Sequence, residues 1–371
     1  MHYHLILTEL CNSNCKYCYE KSMREAELGI KSNFEFEMNP AVSEVDINKL
    51  KEFLERDKNP VLIFYGGEPL LEIEKIKKII DNGNIKNLKF RMQTNGKLLD
   101  KIPTEYLNKI DKILISIDGN KKRTDFNRGD GTYDKLVENI NLIRRNGYKG
   151  EIVARMTIGF SDIYEQVLHL IDLTKERLFD SIHWQLDAGF YSHDFNEKEF
   201  SRFVEEYNSG VKNLVDFWIE EMYCGNVLKL YPFMGIMESI LNNEKTLLRC
   251  GGGHSGFAIT TNGMISACPI MNSIKDFYVG DINCNVDKLK KIEISECNSC
   301  NYLNLCGGRC LYWRKAKLWP EKGDEMICNT IKFLINLLKE KENEIKQLID
   351  KKIIKKSDFF YEKYFGPEII P

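Results

Sequence analysis

Short apolar runs alternate with longer amphipathic segments along the first half of the chain. The runs are rich in Ile, Leu, Val and Phe and are bounded by Gly, Asn, Asp or Pro, which is typical of buried strands in a parallel sheet. Because such strands are covered on both faces, they read as continuous apolar stretches. The predicted strands are His4–Leu7, Val61–Tyr65, Leu88–Gln93, Lys112–Ile117, Glu151–Thr157 and Ser181–Leu186.

Helix-period segments lie between these strands. Ser161 is predicted to cap the last of these helices. Six strand–helix units predict an α/β fold, with helices covering the outer face of a parallel sheet. Functional residues in such folds lie in the loops after the strands. The predicted helical segments are 43–56, 72–82, 100–109, 132–146 and 162–176.

The second half of the chain has a different pattern of predicted elements. Residues 196–246 are predicted to form two helices, and a final amphipathic helix covers about 326–350. Between them, Gly251–Gly253 marks the start of a region of short strands and turns that holds eight of the cysteines. An apolar stripe on the two helices is interpreted as core: Phe203, Tyr207, Val211, Leu214, Phe217 and Trp218.

Charge and cysteine content narrow the functional classes. Lys and Arg number 53 against 55 Asp and Glu, so no basic field indicates nucleic acid or an anionic membrane as a partner. No uncharged apolar run approaches the roughly 18 residues that span a bilayer, and no export signal is seen, so we expect a cytoplasmic protein. Twelve cysteines then favour metal or cluster ligation over disulfides. Cys224 is interpreted as a buried apolar residue.

The sharpest motif is C-x-x-x-C-x-x-C at Cys11, Cys15 and Cys18. Three thiolates on one loop hold three irons of a [4Fe–4S] cube and leave the fourth iron without a protein ligand. A zinc site would usually have four ligands and favour C-x-x-C pairs. The placement of the loop, after a strand and before a helix of the sheet, favours the cluster.

Three further motifs follow later strands: Tyr65-Gly-Gly-Glu-Pro69, Gln93-Thr-Asn-Gly96 and Ser116-Ile-Asp-Gly119. With Tyr17 before the third cysteine, they make the chain similar to the radical S-adenosylmethionine (radical SAM) superfamily. The resemblance implies a partial (β/α)6 TIM-like barrel, a first cluster on Cys11, Cys15 and Cys18, and S-adenosylmethionine (SAM) on its open iron. The implied SAM-binding residues are Tyr17, Gly66, Gly67, Glu68, Pro69, Asn95, Ser116, Asp118, and Arg128 or Arg155 for the carboxylate.

The later cysteines resemble the seven-cysteine SPASM domain, which carries two auxiliary [4Fe–4S] clusters. The resemblance implies an outer cluster on Cys297, Cys300, Cys306 and Cys328, and an inner cluster on Cys250, Cys268 and Cys310, for three clusters in all. Cys284 is the fourth inner ligand, or that iron is open; both alternatives stand. The implied parts are 1–190 (radical SAM barrel), 191–249 (helical connector), 250–330 (SPASM domain) and 331–371 (helix and tail).

By the same resemblance, the enzyme cleaves SAM reductively to a 5′-deoxyadenosyl radical and modifies a peptide or protein, forming a thioether or another crosslink. A ferredoxin or flavodoxin would supply the electron. The alternatives are a small-molecule substrate and a non-catalytic zinc or cluster scaffold. Formylglycine formation is disfavoured, because Pro269 follows Cys268 where sulfatase maturases have Asp. With ten residues before Cys11, no leader-binding domain is expected ahead of the loop, and 20–45 is interpreted as an exposed loop. The lumen-facing candidates are Gln93, Arg155, Gln185 and Asp187.

Overall fold

The computed structural model describes residues 1–18, 34–188, 195–292, 294–295 and 297–363. All six predicted strands are present, and each pairs in parallel with the next along the chain. Their apolar residues are almost fully buried, which explains why composition alone located them. They are β1 (His2–Thr8), β2 (Val61–Gly66), β3 (Lys89–Thr94), β4 (Ile110–Ser116), β5 (Glu151–Ile158) and β6 (Ser181–Leu186).

The helices between these strands match the predicted segments, with two differences. Ser161 does not cap a helix: its hydroxyl donates to Glu206, and Asp162 precedes the helix. The additional helix α4 is almost wholly polar, so it lacks the apolar period that predicts helices. The helices are α1 (Ile47–Glu55), α2 (Ile73–Asn82), α3 (Thr104–Leu107), α4 (Lys121–Arg128), α5 (Thr132–Arg145) and α6 (Ile163–Lys175).

The sheet does not end with the barrel strands. Strand β7 (Gly256–Ile259) pairs in parallel with β1, and β8 (Met264–Ser266) and β9 (Tyr278–Asp281) continue the sheet in antiparallel fashion. The nine strands have the order β6-β5-β4-β3-β2-β1-β7-β8-β9. The cysteine-rich region is therefore built onto the edge of the barrel sheet. The predicted division into four parts stays a prediction, and its first boundary lies outside the described residues.

The two predicted central helices are present, and their apolar stripe lies in the core. The predicted final helix is in fact two, which meet at Lys341. Cys224 is exposed where the first of the central helices ends, so the prediction that it is buried was wrong. The remaining helices are α7 (Glu197–Tyr223), α8 (Tyr231–Asn242), α9 (Leu303–Cys306), α10 (Leu311–Ala316), α11 (Glu321–Glu340) and α12 (Glu342–Asp350).

The described part of the predicted exposed loop packs against the cysteine-rich region. Phe34 is half-buried, with its ring 5.3 Å from that of Phe277, and Phe36 forms an isolated bridge with Ile274. The interpretation of this part as an exposed loop therefore holds only in part: Met38 is 97% exposed, whereas Phe34 and Phe36 are half-buried. Residues 19–33 lie outside the described residues. In the described ranges, no helix is long and apolar enough to cross a membrane.

The C-terminal tail reaches the N-terminal ends of the barrel strands. Glu362 there pairs with Arg91, which is 1% exposed, and lies 3.6 Å from the Nε2 atom of His2. Arg91 also contacts Asp111 at 3.3 Å. Because a buried guanidinium needs a counter-charge, the tail carboxylate is part of how this end of the barrel is stabilised.

Candidate functional site

A pocket opens at the C-terminal ends of the barrel strands. This is the edge at which the sequence predicted the functional residues. The N-terminal cysteine loop forms one side, and the ends of β2 to β6 form the others. The lining residues are Cys11, Ser13, Cys15, Tyr17, Cys18, Tyr65, Gly66, Gly67, Gln93, Thr94, Asn95, Ser116, Arg128, Arg155, Thr157, Gln185, Leu186, Asp187 and Ile270.

The thiols of Cys11, Cys15 and Cys18 all face this pocket. Burial raises the pKa of Cys11 to about 11. Three thiols at one pocket wall fit a [4Fe–4S] cluster, in which each thiolate binds a different iron. Over the described ranges, no three His, Cys, Asp or Glu side chains are close enough to share a single ion. The donor set therefore suits a cluster with one iron left for a ligand in the pocket.

Gly66 and Gly67 pack against the backbone at the start of the cysteine loop. The N–H of Gly67 donates to the carbonyl of Thr8 at 2.8 Å, and that of Glu68 donates to the carbonyl of Leu10 at 2.9 Å. A Cβ on Gly66 would lie 2.2 Å from the Thr8 carbonyl oxygen, and one on Gly67 would lie 2.4 Å from that of Leu10. The crowding that requires glycine comes from the chain's own cysteine loop.

We expect Gly66→Ala to reduce cluster loading. The new methyl group would meet backbone that cannot move aside, and φ of +141° is unfavourable for alanine. The measurement is iron per chain after anaerobic reconstitution. Gly147→Ala is the matched control, because Gly147 also has a positive φ (+92°) but nothing lies within 4 Å of its added Cβ. Equal loading of the two variants would contradict this role for Gly66.

The next residue, Glu68, is fully buried behind the pocket wall. Its carboxylate accepts hydrogen bonds from the N–H of Leu70 at 3.0 Å, the hydroxyl of Thr94 at 2.6 Å and the N–H of Asn95 at 2.7 Å. Burial raises its pKa, and these bonds oppose that effect. Glu68 thus ties the end of β2 to the end of β3. Pro69 is also buried and, like Glu68, is not part of the pocket lining.

Asn95 continues this link to the cysteine loop. Its side-chain amide donates to the Oδ1 of Asn12 at 2.6 Å and to the hydroxyl of Ser13 at 3.3 Å, and it lies 3.8 Å from the Sγ of Cys11. A donor beside a cluster sulfur is a recognised means of tuning reduction potential. Asn95 therefore contacts the loop as well as the pocket.

Of the two candidate arginines, Arg128 lies nearer the cysteine loop. Its guanidinium carbon is 5.3 Å from the ring centroid of Tyr17, and its guanidinium pairs with Asp118 through two bonds of 2.9 Å. Arg155 lies across the pocket and donates from Nη2 to the Oε1 of Gln185 at 2.8 Å. Ser116 lines the pocket, whereas Asp118 is buried behind it.

The four predicted lumen-facing side chains all line the pocket: Gln93, Arg155, Gln185 and Asp187. Below them the lumen holds His4, whose pKa burial lowers to about 3. The neutral imidazole and the Arg155–Gln185 pair make this part of the pocket polar. The sequence analysis did not select Ser13, Thr94, Thr157 or Ile270, since isolated Ser, Thr and Ile residues give no signal in one sequence.

Electrostatic interactions join six of the C-terminal cysteines into two groups of three. Cys268 interacts electrostatically with Cys310 and Cys250. Separately, Cys306 interacts with Cys328 and Cys297. Cys300 lies three residues after Cys297, with its N–H donating to the Cys297 carbonyl at 2.9 Å. In the second set, the guanidinium of Arg314 lies 3.5 Å from the Sγ of Cys328.

Cys284 lies at the far end of the β8–β9 hairpin from Cys268. Its Sγ accepts the N–H of Asp281 at 3.2 Å, and Asp281 pairs with Met264 at the start of β8. Cys268 follows the other end of that strand. At the rise of an extended chain, Met264 and Cys268 are roughly 13 Å apart. Cys284 is therefore placed near the start of β8, at the end of that strand opposite to Cys268.

Comparison with known proteins agrees with this geometry. The family model of the radical SAM superfamily matches residues 5–174, which contain the cysteine loop and the later motifs. This part of the chain is a radical SAM domain. The protein is accordingly an enzyme, and its cofactors are SAM and [4Fe–4S] clusters.

Relatives with curated names match most of the length of this chain. The cysteine-type anaerobic sulfatase-maturating enzyme of Clostridium perfringens is 26% identical over 340 residues, which span 83% of this chain and 87% of the relative. The radical SAM cyclopropyl synthase TigE of Paramaledivibacter caminithermalis is 24% identical over 369 residues, spanning 92% of this chain and 74% of the relative. The similarity thus extends beyond the radical SAM domain into the cysteine-rich region.

Two solved structures share the fold. Native anSMEcpe with bound AdoMet and Cp18Cys peptide has a TM-score of 0.65 at 21% identity, covering 93% of this chain and 99% of that chain. Streptococcus suis SuiB bound to the precursor peptide SuiA has a TM-score of 0.53 at 16% identity, covering 83% of this chain and 71% of that chain. The predicted partial barrel followed by a cysteine-rich region is confirmed.

Proposed function

We propose that this enzyme cleaves SAM at the cluster held by Cys11, Cys15 and Cys18 and uses the product to modify a peptide. The observation that carries the proposal is the pocket, which has these three thiols on one side and Arg155, Gln185 and Asp187 on another. When bound, the cluster and SAM supply a 5′-deoxyadenosyl radical that abstracts hydrogen from the substrate. The chain's own residues orient both reactants and exclude water.

Arg128 is the proposed partner of the SAM carboxylate. The methionine part of SAM must lie against the open iron, and Arg128 is the candidate arginine next to the cysteine loop. The backbone of Gly66 and Gly67 lines the same side, whereas Glu68 and Pro69 act from behind it. Ser116 is the proposed ribose partner. Arg155 lies across the pocket and is the proposed contact for the substrate.

A peptide substrate is supported by the relatives. The Clostridium perfringens relative is named as a cysteine-type sulfatase-maturating enzyme, and two structures with this fold hold peptides. The segment after Cys268 reaches the pocket through Ile270, which is apolar, and has Pro269 where sulfatase maturases carry Asp. We therefore propose a reaction other than formylglycine formation, such as a thioether or another crosslink at a peptide cysteine.

The three clusters are proposed to lie on the cysteine sets described above. Cys297, Cys300, Cys306 and Cys328 fill the outer cluster, and Cys250, Cys268 and Cys310 hold the inner one. Cys284, on the other end of the hairpin, is not its ligand, which leaves one inner iron open. Because Ile270 lines the pocket two residues after Cys268, the open iron would lie on the substrate side.

We expect Cys284→Ser to keep the full iron content of about twelve per chain from three four-iron cubes. Its thiol is bonded to the Asp281 backbone and not to the inner set. The measurement is iron quantification with Mössbauer spectra. Cys268→Ser is the comparison and should lose about four irons. Loss of about four irons in Cys284→Ser would make Cys284 a ligand and close the proposed open site.

The test of the peptide proposal is deuterium transfer. Anaerobically reconstituted enzyme is incubated with dithionite, SAM and the Cp18Cys peptide carrying deuterium on its carbon atoms other than the cysteine Cβ, and 5′-deoxyadenosine is analysed by mass spectrometry. We expect deuterium in 5′-deoxyadenosine from this peptide and none from deuterated free cysteine. Transfer from free cysteine at an equal or higher rate would instead support the small-molecule alternative. The control is the same peptide with alanine in place of its cysteine. It shows whether a peptide stimulates SAM cleavage without hydrogen being abstracted from it.

The electron donor and the cell compartment belong to the same proposal. A ferredoxin or flavodoxin is the proposed one-electron donor for the cluster. A cytoplasmic location is supported by the twelve free cysteines, since thiols of this number stay reduced in the cytosol. Failure of flavodoxin or ferredoxin, with its reductase, to replace dithionite would count against this donor class.

A further inference from the structure

Asp118 is buried with an exposed fraction of 0% and accepts five hydrogen bonds. Its Oδ1 accepts from the Nη2 of Arg128 at 2.9 Å and the N–H of Thr157 at 3.0 Å. Its Oδ2 accepts from the Nε of Arg128 at 2.9 Å, the side-chain amide of Asn127 at 3.1 Å and the hydroxyl of Tyr17. With its lone pairs used in this way, Asp118 does not contact a ligand in the pocket.

These five bonds connect three different walls of the site. Tyr17 belongs to the cysteine loop, Arg128 to the end of α4, and Thr157 to the end of β5. A backbone bond of 2.9 Å from Lys16 to the carbonyl of Asn127 adds a second link between the loop and α4. The backbone bond fixes the end of α4 against the loop, and the direction of the Arg128 side chain then depends on the Asp118 carboxylate.

The negative charge of Asp118 and the positive charge of Arg128 balance each other. Burial by itself lowers the pKa of Arg128, but the combined attraction of Asp118, Tyr17 and Cys15 outweighs it and raises the pKa above its ordinary value. Asp118 occupies Nε and Nη2, which leaves Nη1 for a ligand in the pocket. A bidentate charged pair fixes the plane of a guanidinium as well as its position. A carboxylate on a SAM molecule therefore meets a preset donor.

We propose that Asp118 is a positioning residue that holds Arg128 at the correct distance from the cysteine loop and so sets how tightly SAM binds. This inference rests on the proposed role of Arg128. It differs from the sequence prediction, in which Asp118 contacts the cofactor directly. Because Tyr17 shares the same carboxylate, a change at Asp118 should reach both the loop and the arginine.

A double-mutant cycle tests the proposal, using Asp118→Asn, Arg128→Gln and the double variant. We measure the KM for SAM in the absence of peptide, kcat, iron per chain, and the change that SAM causes in the EPR spectrum of the reduced cluster. Asp118→Asn should raise the KM roughly tenfold or more, since its amide would point N–H groups at three donors, and should weaken the SAM-induced EPR change. Iron content should stay at the wild-type value.

The double variant shows whether Asp118 acts through Arg128. If Asp118 acts through Arg128, its KM should lie within about twofold of that of Arg128→Gln, because coupled residues are non-additive. Asp125→Asn is the control: Asp125 lies on the same helix, accepts the N–H of Tyr133 at 2.8 Å, and should leave the KM unchanged. Effects that multiply in the double variant, or a wild-type KM in Asp118→Asn, would overturn the proposal.

Two outcomes are kept separate by this design. A normal KM in Arg128→Gln would refute the proposed carboxylate partner, whereas additivity with a raised KM in that variant would refute only the role of Asp118. If Asp118→Asn does not fold, the same cycle is run with Tyr17→Phe, which removes one hydrogen bond and keeps the ion pair. Additive effects of Tyr17→Phe and Arg128→Gln would then overturn the proposal.

Discussion

Replacing Cys11, Cys15 and Cys18 together with alanine is expected to abolish 5′-deoxyadenosine formation and lower the iron content from about twelve to about eight per chain. The three thiols form one side of the pocket at the strand ends. Without them no iron is left to chelate SAM beside Arg128, whereas the C-terminal cysteines are untouched. Iron quantification, Mössbauer spectra and mass spectrometry of the nucleoside products measure both effects on one sample.

The control for this variant is Cys224→Ala. Cys224 is exposed beyond the end of α7, so its removal should leave iron content and SAM cleavage unchanged. The assignment of the radical-generating cluster would be refuted by a triple variant that still cleaves SAM at the wild-type rate. A triple variant that loses all twelve irons would instead show that the three clusters assemble together.

A second large effect is expected at the opposite end of the barrel. Glu362→Gln should lower the free energy of unfolding by roughly 2–3 kcal/mol at neutral pH, because it removes one of the two carboxylates that pair with the buried Arg91. Burial raises the pKa of Glu362, but its contacts with His2 and Arg91 outweigh this and lower the pKa to about 2. Denaturant titration of the two proteins under anaerobic conditions measures the difference.

The pH dependence of this difference has a definite sign. A carboxylate whose folded pKa is depressed stabilises the protein fully above its unfolded pKa and loses that contribution as the pH falls through the folded value. The gap between wild type and Glu362→Gln should therefore narrow from about pH 5 downwards and vanish near pH 2. Glu74→Gln is the control, since Glu74 forms an exposed pair with Lys77 and should cost under about 0.5 kcal/mol. A gap independent of pH would contradict the ion-pair explanation.

The strands were predictable because burial on both faces leaves continuous apolar runs in the sequence. Helix α4 was not predictable, because the residues that it buries beneath the cysteine loop are polar: Thr124, Asn127 and Arg128. The attachment of β7 to β1 was also beyond the sequence, since a four-residue strand carries little pattern and its pairing partner lies far along the chain.

The candidate site, like the fold, was predictable only in part. The cysteine sets and the motifs at the strand ends could be located from spacing, because ligand chemistry demands particular residues. The roles within each motif depended on side-chain direction, which spacing does not contain. Glu68 and Asp118 were predicted as cofactor contacts, yet both are buried as acceptors for the surrounding walls. The proposal that Cys284 is not an inner ligand likewise required the register of the β8–β9 hairpin.

The attachment of β7 to β1 bears on how such enzymes can be recombined. Strand β1 leads directly into the cysteine loop, and its outer edge is completed by residues more than 250 positions later, from Gly256 to Ile259. A barrel separated from its C-terminal region would carry a bare, apolar strand edge, which invites aggregation. Exchanging C-terminal regions between relatives therefore means exchanging a sheet edge as well, so a chimera should keep β1 and β7 from the same parent.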